Sequence, residues 1–519
     1  MKTIMRNREN GMNSRHESRV RSALCAAMIG GLLSVGAGHS ALPNDITYRN
    51  FFGTMTFNRP LLFAQYPGED SVYMVMEQVG RLTTVARRAG AWAKTDTAVL
   101  QVPVVTATGG GKCAAAQTRA TSSGITTGYY ESRGLLGFAF HPQFRANRKY
   151  YVSYVTVRDS SGATHERSIV AERIADATLR PKTSDAQRVL IDFCQPGWDH
   201  KGGHIGFGPD GMLYFTTGDG GNQDLWNSPN NPSLRRDSWL GKVLRIDVDS
   251  TPDSGKPYRV PADNPFVDSA GYLPEVWAWG LRNPWKWQFH PRTGDMWLGN
   301  VGYTNRDNIY RIRKGDYLGW PIWEGNHCSI SPNLSGQCAA TAGRVLRPVI
   351  DLIHNDDARS VTGGTFFYGN DSAALNGTYF YGDYIYNWVR VARFDPVADT
   401  VVESRHVADI ENVVSFDRDS LGRVFAISLG TSFVTANTGV VYILESPAFT
   451  GPLRPVGVRA GAARRLGQGP GISLQDYLRD PGRYEVRGLD GRSTGNYRSG
   501  VVMIRERGAT VAPKLLVIP

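Results

Sequence analysis

Long apolar runs, paired cysteines and locally concentrated charge are all scarce in the body of this 519-residue chain. No run reaches the roughly 20 apolar residues that a membrane-spanning helix needs, so we predict no transmembrane segment. The five cysteines include no CxxC pair. The absence of that spacing argues against a zinc site and against a thioredoxin-type redox pair.

The net charge of +11 belongs to the two ends of the chain. Residues 1–41 contribute +4 and residues 449–519 contribute +7, so residues 42–448 are formally neutral. This neutral body has no basic stripe with interleaved aromatic residues, which is the pattern that binds nucleic acid. We therefore predict no nucleic-acid partner. The oligomeric state is not predicted by any of these patterns.

Several catalytic motifs are also missing. The sequence has no GxSxG elbow, no P-loop, no HExxH and no GxGxxG that opens a predicted helix, which argues against the enzyme classes built on those motifs. The segment from Gly218 to Asn222 (GDGGN) looks like a calcium or phosphate loop. Because single Asp-Gly turns are common in β proteins, we predict only a turn there.

The first residues have the pattern of an export signal. Arg15, Arg19 and Arg21 precede an apolar run over 23–37, which is too short to span a membrane, and small residues then lead to Ala41. We predict a signal peptide over residues 1–41 and a periplasmic or secreted mature protein.

The cysteines fit an oxidising compartment. Cys25 lies within the predicted signal, and four cysteines remain after its removal. An even number in that compartment predicts two disulfides. Cys328 and Cys338 bracket a short polar loop, so we expect them to pair with each other, which leaves Cys113 for Cys194.

The body of the chain repeats a short pattern with no convincing helical periodicity. An Asp, Gly or Pro turn is followed by alternating apolar residues and then by glycine, as in 209–221 (PDGMLYFTTGDGG) and 419–430 (DSLGRVFAISLG). Such turn–strand units indicate an all-β propeller, which we assign to residues 42–448. Residues 449–519 are rich in Pro, Gly and Arg and form a predicted C-terminal extension, with one strand near Val501–Ile504.

Three predicted loops bring ionisable groups next to glycines, over 197–204, 280–284 and 300–303. His200 is a candidate general base, and the adjacent Asp199 is a candidate for holding its useful tautomer. Arg282 offers a permanent cation for a quinone or a carboxylate. The competing interpretations are a surface or core histidine for His200 and an inter-blade salt bridge for Arg282. We expect His204 to be structural.

Five ordered segments resemble the glucose/sorbosone dehydrogenase family. They are 131–144 (ESRGLLGFAFHPQF), 199–221 (DHKGGHIGFGPDGMLYFTTGDGG), 241–249 (GKVLRIDVD), 275–287 (EVWAWGLRNPWKW) and 315–321 (GDYLGWP). The resemblance covers roughly residues 45–446. It implies a six-bladed β-propeller that binds pyrroloquinoline quinone (PQQ) and Ca²⁺, with an aldose as substrate and a separate electron acceptor.

The same resemblance implies roles for individual residues. Asp199 and His200 match the family's catalytic pair, so that His200 would take the proton of the sugar's anomeric hydroxyl while a hydride passes to PQQ. Arg282 and Asn283 match the pair that contacts the quinone. Backbone carbonyls of Gly302 and Tyr303 would hold the calcium ion, and carbonyl oxygens suit that hard cation. Ser132 and Arg133 are implied further cofactor contacts, Ser132 standing where a glutamine is common.

The late blades depart from the family pattern. The family holds the carboxylates of PQQ with a lysine and two arginines, whose positions fall here near Ile385 and over 411–413. Arg390 and Arg393 are the candidate substitutes. Two other functions therefore stay open. One is a non-enzymatic binding propeller like hedgehog-interacting protein, in which the loop 354–357 (HNDD) would bind a partner or a metal. The other is a metal-dependent hydrolase such as a lactonase.

Overall fold

A computed structural model gives the structure of this protein. It describes residues 42–99, 133–160, 163–197, 199–221, 226–328, 332–368, 375–395, 398, 400–431, 437–449, 484–487, 500–506 and 514–518. The predicted signal peptide, Cys113 and Ser132 lie outside the described residues, as does most of the predicted C-terminal extension.

Six four-stranded antiparallel sheets form the blades of a β-propeller, as predicted. Blade 1 contains β2 (Pro60–Gln65), β3 (Val72–Glu77), β4 (Arg81–Arg88) and β5 (Ala91–Val99). Blade 2 contains β6 (Gly134–Phe140), β7 (Lys149–Ser160), β8 (Ala163–Ile174) and β9 (Ala186–Gln195). Blade 3 contains β10 (Ile205–Phe207), β11 (Leu213–Thr217), β12 (Lys242–Ile246) and β13 (Val276–Trp279).

The last three blades have the same order of strands. Blade 4 contains β14 (Asn283–Phe289), β15 (Met296–Val301), β16 (Arg306–Ile312) and β19 (Ile350–Ile353). Blade 5 contains β20 (Val361–Phe367), β21 (Thr378–Asp383), β22 (Trp388–Asp395) and β23 (Thr400–Asp409). Blade 6 contains β24 (Val413–Arg418), β25 (Val424–Ser428), β26 (Val440–Glu445) and β1 (Thr47–Asn50).

Small elements lie outside the blades. They are the pair β17 (Trp323–Glu324) and β18 (His327–Cys328), the three-stranded sheet of β27 (Tyr484–Arg487), β28 (Gly500–Glu506) and β29 (Lys514–Ile518), the one-turn helices α1 (Phe144–Asn147), α2 (Pro332–Ser335) and α3 (Cys338–Thr341), and a 3₁₀ turn at Pro447–Phe449. The strand predicted near Val501–Ile504 is β28. Among the described residues, no helix is long and apolar enough to cross a membrane.

The burial of each strand follows its place in the blade. All residues of β11 and β12 are buried, because the middle strands of a blade have a neighbouring blade on both faces. The outer strand β23 alternates between exposed and partly buried residues over most of its length. The runs of alternating apolar residues in the sequence are therefore strands, and the Asp-Gly turns between them, such as the one at Gly211 with φ +81°, connect them.

The chain closes the ring with its own N-terminal strand. β1 pairs antiparallel with β26, from Thr47 opposite Glu445 to Asn50 opposite Tyr442. Arg49 adds an exposed ion pair with Glu445 at 2.8 Å. The first and last described parts of the propeller are thus joined in one blade, and a closed ring leaves the blades no open side.

The order of strands determines which loops meet. The segment that enters the first strand of a blade and the turn between its second and third strands lie at the same end of that blade, because successive strands are antiparallel. Repeated over six blades, this rule gathers loops that are far apart in the sequence onto one face of the propeller.

Cys328 and Cys338 form a disulfide, which confirms that expected pair. Cys194 is also disulfide-bonded. Its pairing with Cys113 stays a prediction, because Cys113 lies outside the described residues.

Candidate functional site

A cavity of about 440 Å³ opens on this face of the propeller. The segments that enter blades 1, 3, 4, 5 and 6 line it together with turns between second and third strands. The three loops singled out in the sequence meet here, because His200, Arg282 and Gly302 are all lining residues.

His200 is held in a defined orientation at this cavity. Its Nδ1 lies 2.7 Å from Oδ1 of Asp219, and its side chain is 14% exposed. Its backbone has φ +53°, which is uncommon for a residue other than glycine. The His200 amide donates to Oδ1 of Asp199 at 2.7 Å, which supports this conformation. His200 is neither a surface residue nor a core residue.

Asp219, and not Asp199, is the carboxylate that orients the imidazole. Oδ2 of Asp199 is 3.8 Å from His200 Nε2, whereas Asp219 is at hydrogen-bond distance from Nδ1. The prediction that Asp199 holds the tautomer was wrong. The GDGGN segment, predicted to be only a turn, supplies the missing group. Sequence adjacency was misleading because Asp219 reaches His200 through the turn between β11 and β12.

The surroundings of Asp219 keep it ionised. Burial alone would raise its pKa, but the nearby His200 and Arg282 and the Gly221 amide outweigh burial, and the pKa lies below its usual value. Trp320 Nε1 also donates to Oδ2 at 2.8 Å. An ionised carboxylate only accepts hydrogen bonds, so Nδ1 carries the proton in the neutral form of His200, and Nε2 is then the acceptor.

Arg282 lies beside this pair at the start of blade 4. Its Nη1 donates to the Val301 carbonyl at 3.2 Å, and its guanidinium lies 5.4 Å from the ring centres of both Tyr303 and Trp320. Its backbone carbonyl accepts the Asp219 amide at 2.8 Å. The guanidinium is therefore held by a carbonyl and two aromatic faces, with its charge available to the cavity.

Glu324 organises the turn that contains Gly302 and Tyr303. One of its carboxylate oxygens accepts the amides of Tyr303, Thr304 (3.0 Å) and Asn305 (3.0 Å). In a trans peptide the carbonyl points opposite to the next amide, so the carbonyls of Gly302 and Tyr303 point away from Glu324. Oxygen donors of this kind suit Ca²⁺.

The described residues show no metal site made of side chains. They contain no group of three or more His, Cys, Asp or Glu that could hold a metal ion. In the loop 354–357, the His354 Nδ1 lies 3.4 Å from Oδ1 of Asp307, and the Asp357 carboxylate accepts the Ile353 amide. His204 is buried with its ring edge-on to Trp287, as expected for a structural residue.

Cations reach the cavity from positions that the sequence did not indicate. Arg59 at the entrance to blade 1 and Arg359 at the entrance to blade 5 both line it with Arg282. The expected substitutes do not line it. Arg390 lies over the ring of Trp388, and Arg393 is 3.9 Å from Glu403. Both belong to β22, the third strand of blade 5, and neither is a lining residue.

Some of the other predicted contact residues line the cavity and some do not. Asn283 and Ile385 line the cavity. Arg133 is not among the lining residues, and its carbonyl accepts a hydrogen bond from Gln78 Nε2 at 2.9 Å. Ser132 lies outside the described residues.

Buried Asp383 holds two stretches of the cavity wall. Its Oδ2 accepts the amides of Arg359 (2.8 Å) and Ser360 (2.7 Å), and its Oδ1 accepts those of Ile385 (2.9 Å) and Tyr386 (2.7 Å). Both loops of blade 5 that face the cavity therefore depend on one fully buried carboxylate.

Replacing Asp383 with alanine is expected to lower the free energy of unfolding by about 3 kcal/mol, because four amides lose a charged acceptor. Urea unfolding of the two proteins measures this difference. Asp409→Ala is the matched control, since the Asp409 side chain is 75% exposed and should change stability by less than about 0.5 kcal/mol. Equal effects of the two substitutions would contradict this role for Asp383.

Known proteins share this fold and part of the sequence. A family model described as Glucose / Sorbosone dehydrogenase matches residues 57–428. Hedgehog-interacting protein of Homo sapiens is 28% identical over 350 residues, covering 65% of this chain and 46% of that protein. Aldose sugar dehydrogenase YliI of Escherichia coli is 27% identical over 252 residues, covering 48% and 57%. This chain spans about half the length of the curated relatives it matches.

A solved structure supports the fold. The PQQ-bound form of aldose sugar dehydrogenase from Streptomyces coelicolor superposes with a TM-score of 0.53 at 19% identity, covering 78% of this chain and all of that one.

Proposed function

The chain belongs to the glucose/sorbosone dehydrogenase family, and we propose that it oxidises an aldose at the anomeric hydroxyl to the lactone, using PQQ and Ca²⁺. The observation that carries this proposal is the His200–Asp219 pair, 2.7 Å apart in a cavity that also contains Arg282. An oriented neutral imidazole beside a fixed cation is suited to removing a proton from an alcohol. An exported location, periplasmic or secreted, is part of the same proposal.

The residues of the cavity fit the cofactor that this activity needs. PQQ carries three carboxylates, and burying such groups without partners is very costly. Three arginines line the cavity, Arg59, Arg282 and Arg359. The carbonyls of Gly302 and Tyr303 are the donors that would hold Ca²⁺. When bound, PQQ supplies the two-electron acceptor that takes the hydride, and a separate electron acceptor would reoxidise it.

The protein's own groups then have distinct tasks. His200 Nε2 accepts the proton of the sugar hydroxyl. Asp219 fixes the tautomer before this transfer and stabilises the imidazolium after it. Arg282 places a positive charge where negative charge develops. Asn283 and Asp199 line the same space and complete the polar wall around the substrate.

Titration of the purified protein with PQQ in the presence of Ca²⁺ tests the proposal, with the cofactor's absorbance as the readout. We expect saturable binding at one equivalent, followed by bleaching of the quinone absorbance when an aldose is added. Omitting Ca²⁺, or replacing the aldose with its 1-O-methyl glycoside, which has no free anomeric hydroxyl, should prevent bleaching. Tight binding without aldose-driven bleaching would contradict the dehydrogenase.

A partner-binding propeller is the second candidate. Large hydrophobic side chains are exposed at Tyr303 and Ile385, which line the cavity, and at Ile353 and Tyr386, which are each next in sequence to a lining residue. Exposed apolar groups that cluster in one place often mark a binding surface. The likeness to hedgehog-interacting protein points the same way. Failure of PQQ to bind at tens of micromolar would favour this function.

A further inference from the structure

We propose that Arg59 and Arg359 form a clamp that binds the carboxylates of the cofactor, and so replace the lysine and two arginines whose family positions fall near Ile385 and over 411–413. This inference rests on the proposed function for the identity of the ligand. Its basis is the placement of two arginines from blades 1 and 5 on the wall of one cavity.

Arg59 is held in an uncommon backbone conformation. Its φ is +56°, and of the nine non-glycine residues with positive φ in the described part of the chain, only Arg59 and His200 line the cavity. Such conformations cost energy and persist where the surrounding structure enforces them, most often at functional sites. Arg59 is also 5% exposed, so its charge is largely withdrawn from solvent.

Gln78 fixes the direction of the Arg59 side chain. Arg59 Nε donates to Gln78 Oε1 at 2.9 Å, and Gln78 Nε2 donates to the Arg133 carbonyl at 2.9 Å. Since the amide nitrogen is committed to that carbonyl, the amide oxygen is presented to the guanidinium. The backbone adds a second link, because the Gln78 amide donates to the Arg59 carbonyl at 2.8 Å.

Arg359 is fixed through its backbone and keeps an accessible side chain. Its amide is bound by the buried Asp383, whereas its side chain is exposed at the cavity wall. A guanidinium with freedom to adjust beside a rigid one is suited to a ligand whose carboxylates point in different directions.

The charge of the wall favours a polyanion. Arg59, Arg282 and Arg359 face one lining carboxylate, Asp199. Among the lining residues, two positive charges are therefore in excess. A neutral sugar brings no charge to pair with these arginines, whereas a ligand with several carboxylates does.

The experiment compares PQQ with its trimethyl ester, which keeps the ring system and removes the negative charges. Dissociation constants are measured by absorbance titration in Ca²⁺ buffer, without sugar, for the wild type, Arg59→Gln, Arg59→Lys and Arg359→Gln. Arg390→Gln is the matched control, since Arg390 lies over Trp388 and not in the cavity. Melting temperatures show which variants are folded, and Arg359→Gln keeps the test usable if Arg59 is needed for folding.

Each glutamine variant is expected to bind PQQ about 10- to 100-fold more weakly, as is typical for losing a charge-assisted hydrogen bond. Binding of the ester should be weak and unchanged by these variants. Arg390→Gln should bind as the wild type does. Arg59→Lys should recover only part of the affinity, because an ammonium lacks the planar fork.

The possible failures are distinguishable. If PQQ binds the wild type but Arg59→Gln and Arg359→Gln bind it equally well, the clamp is overturned and the proposed function stands. An equal loss of affinity for the ester would also overturn the clamp, because the effect would then not depend on charge. If the clamp behaves as expected but no aldose reduces the bound quinone, the dehydrogenase fails and the clamp stands. A wild type that does not bind PQQ overturns both.

Discussion

Replacing His200 with alanine is expected to lower the rate of aldose oxidation by about 10³-fold while leaving PQQ binding within about threefold of the wild type. The loss follows because the variant lacks the imidazole that is proposed to accept the proton. Among the described histidines at the cavity, His200 is the one whose Nδ1 lies 2.7 Å from a carboxylate oxygen, that of Asp219. Anaerobic reduction of bound PQQ in a single turnover measures this step directly, without contribution from the electron acceptor.

The control for this variant is His406→Ala. His406 also has a carboxylate partner, Asp409 at 2.8 Å, but its side chain is 51% exposed and it does not line the cavity. It should keep wild-type turnover. A His200→Ala protein that binds PQQ and still reduces it at the wild-type rate would show that another group removes the proton.

Replacing Asp219 with asparagine is expected to lower turnover by about 10²- to 10⁴-fold, even though the side chain hardly changes in size. An amide can present its NH₂ group to His200 Nδ1. The proton then moves to Nε2, and the imidazole cannot accept the hydroxyl proton. Single-turnover reduction of PQQ is again the measurement, with the melting temperature recorded because Trp320 and the Gly221 amide also bind this carboxylate.

The Asp219→Asn variant should also differ from the wild type in how its stability depends on pH. Its pKa is lowered in the folded protein, so its charge contributes stability above the usual carboxyl range, and that contribution is lost as pH falls through the folded pKa. Below about pH 4, wild-type stability should therefore fall more steeply than that of Asp219→Asn. Asp249→Asn, which alters the His141 pair outside the cavity, should keep full turnover. Equal activity of Asp219→Asn and wild type would contradict the assigned role.

Much of the fold could be predicted because strand patterns are local. Alternating apolar residues between Asp-Gly turns indicate each strand and its ends. The number of blades came from the family that the five ordered segments resemble. The pairing of β1 with β26 has no local signal, because it joins residues almost 400 positions apart in the sequence. It depends on the whole ring being formed.

Residues at the candidate cavity were predicted where a sequence motif marked them and missed where only the three-dimensional arrangement does. His200 and Arg282 stand next to glycines in recognisable segments. Asp219 was missed because Asp-Gly turns are common. Its hydrogen bond to His200 arises only when the turn between β11 and β12 is folded. Arg59 was missed because it stands alone before β2. Arg390 was a wrong candidate because alternate residues of a strand share one face of the sheet, and Arg390 lies over the ring of Trp388 on β22.

The closure of blade 6 by β1 affects when, during folding, the cavity is completed. The cavity wall combines Arg59 from the first blade with Leu429 from the last. The first and last blades are joined by the pairing of residues 47–50 with 442–445, a contact of very high sequence separation that forms slowly. Ligand binding at the cavity is therefore among the final events of folding. The cavity wall is therefore complete only once the chain has been extended as far as residues 442–445.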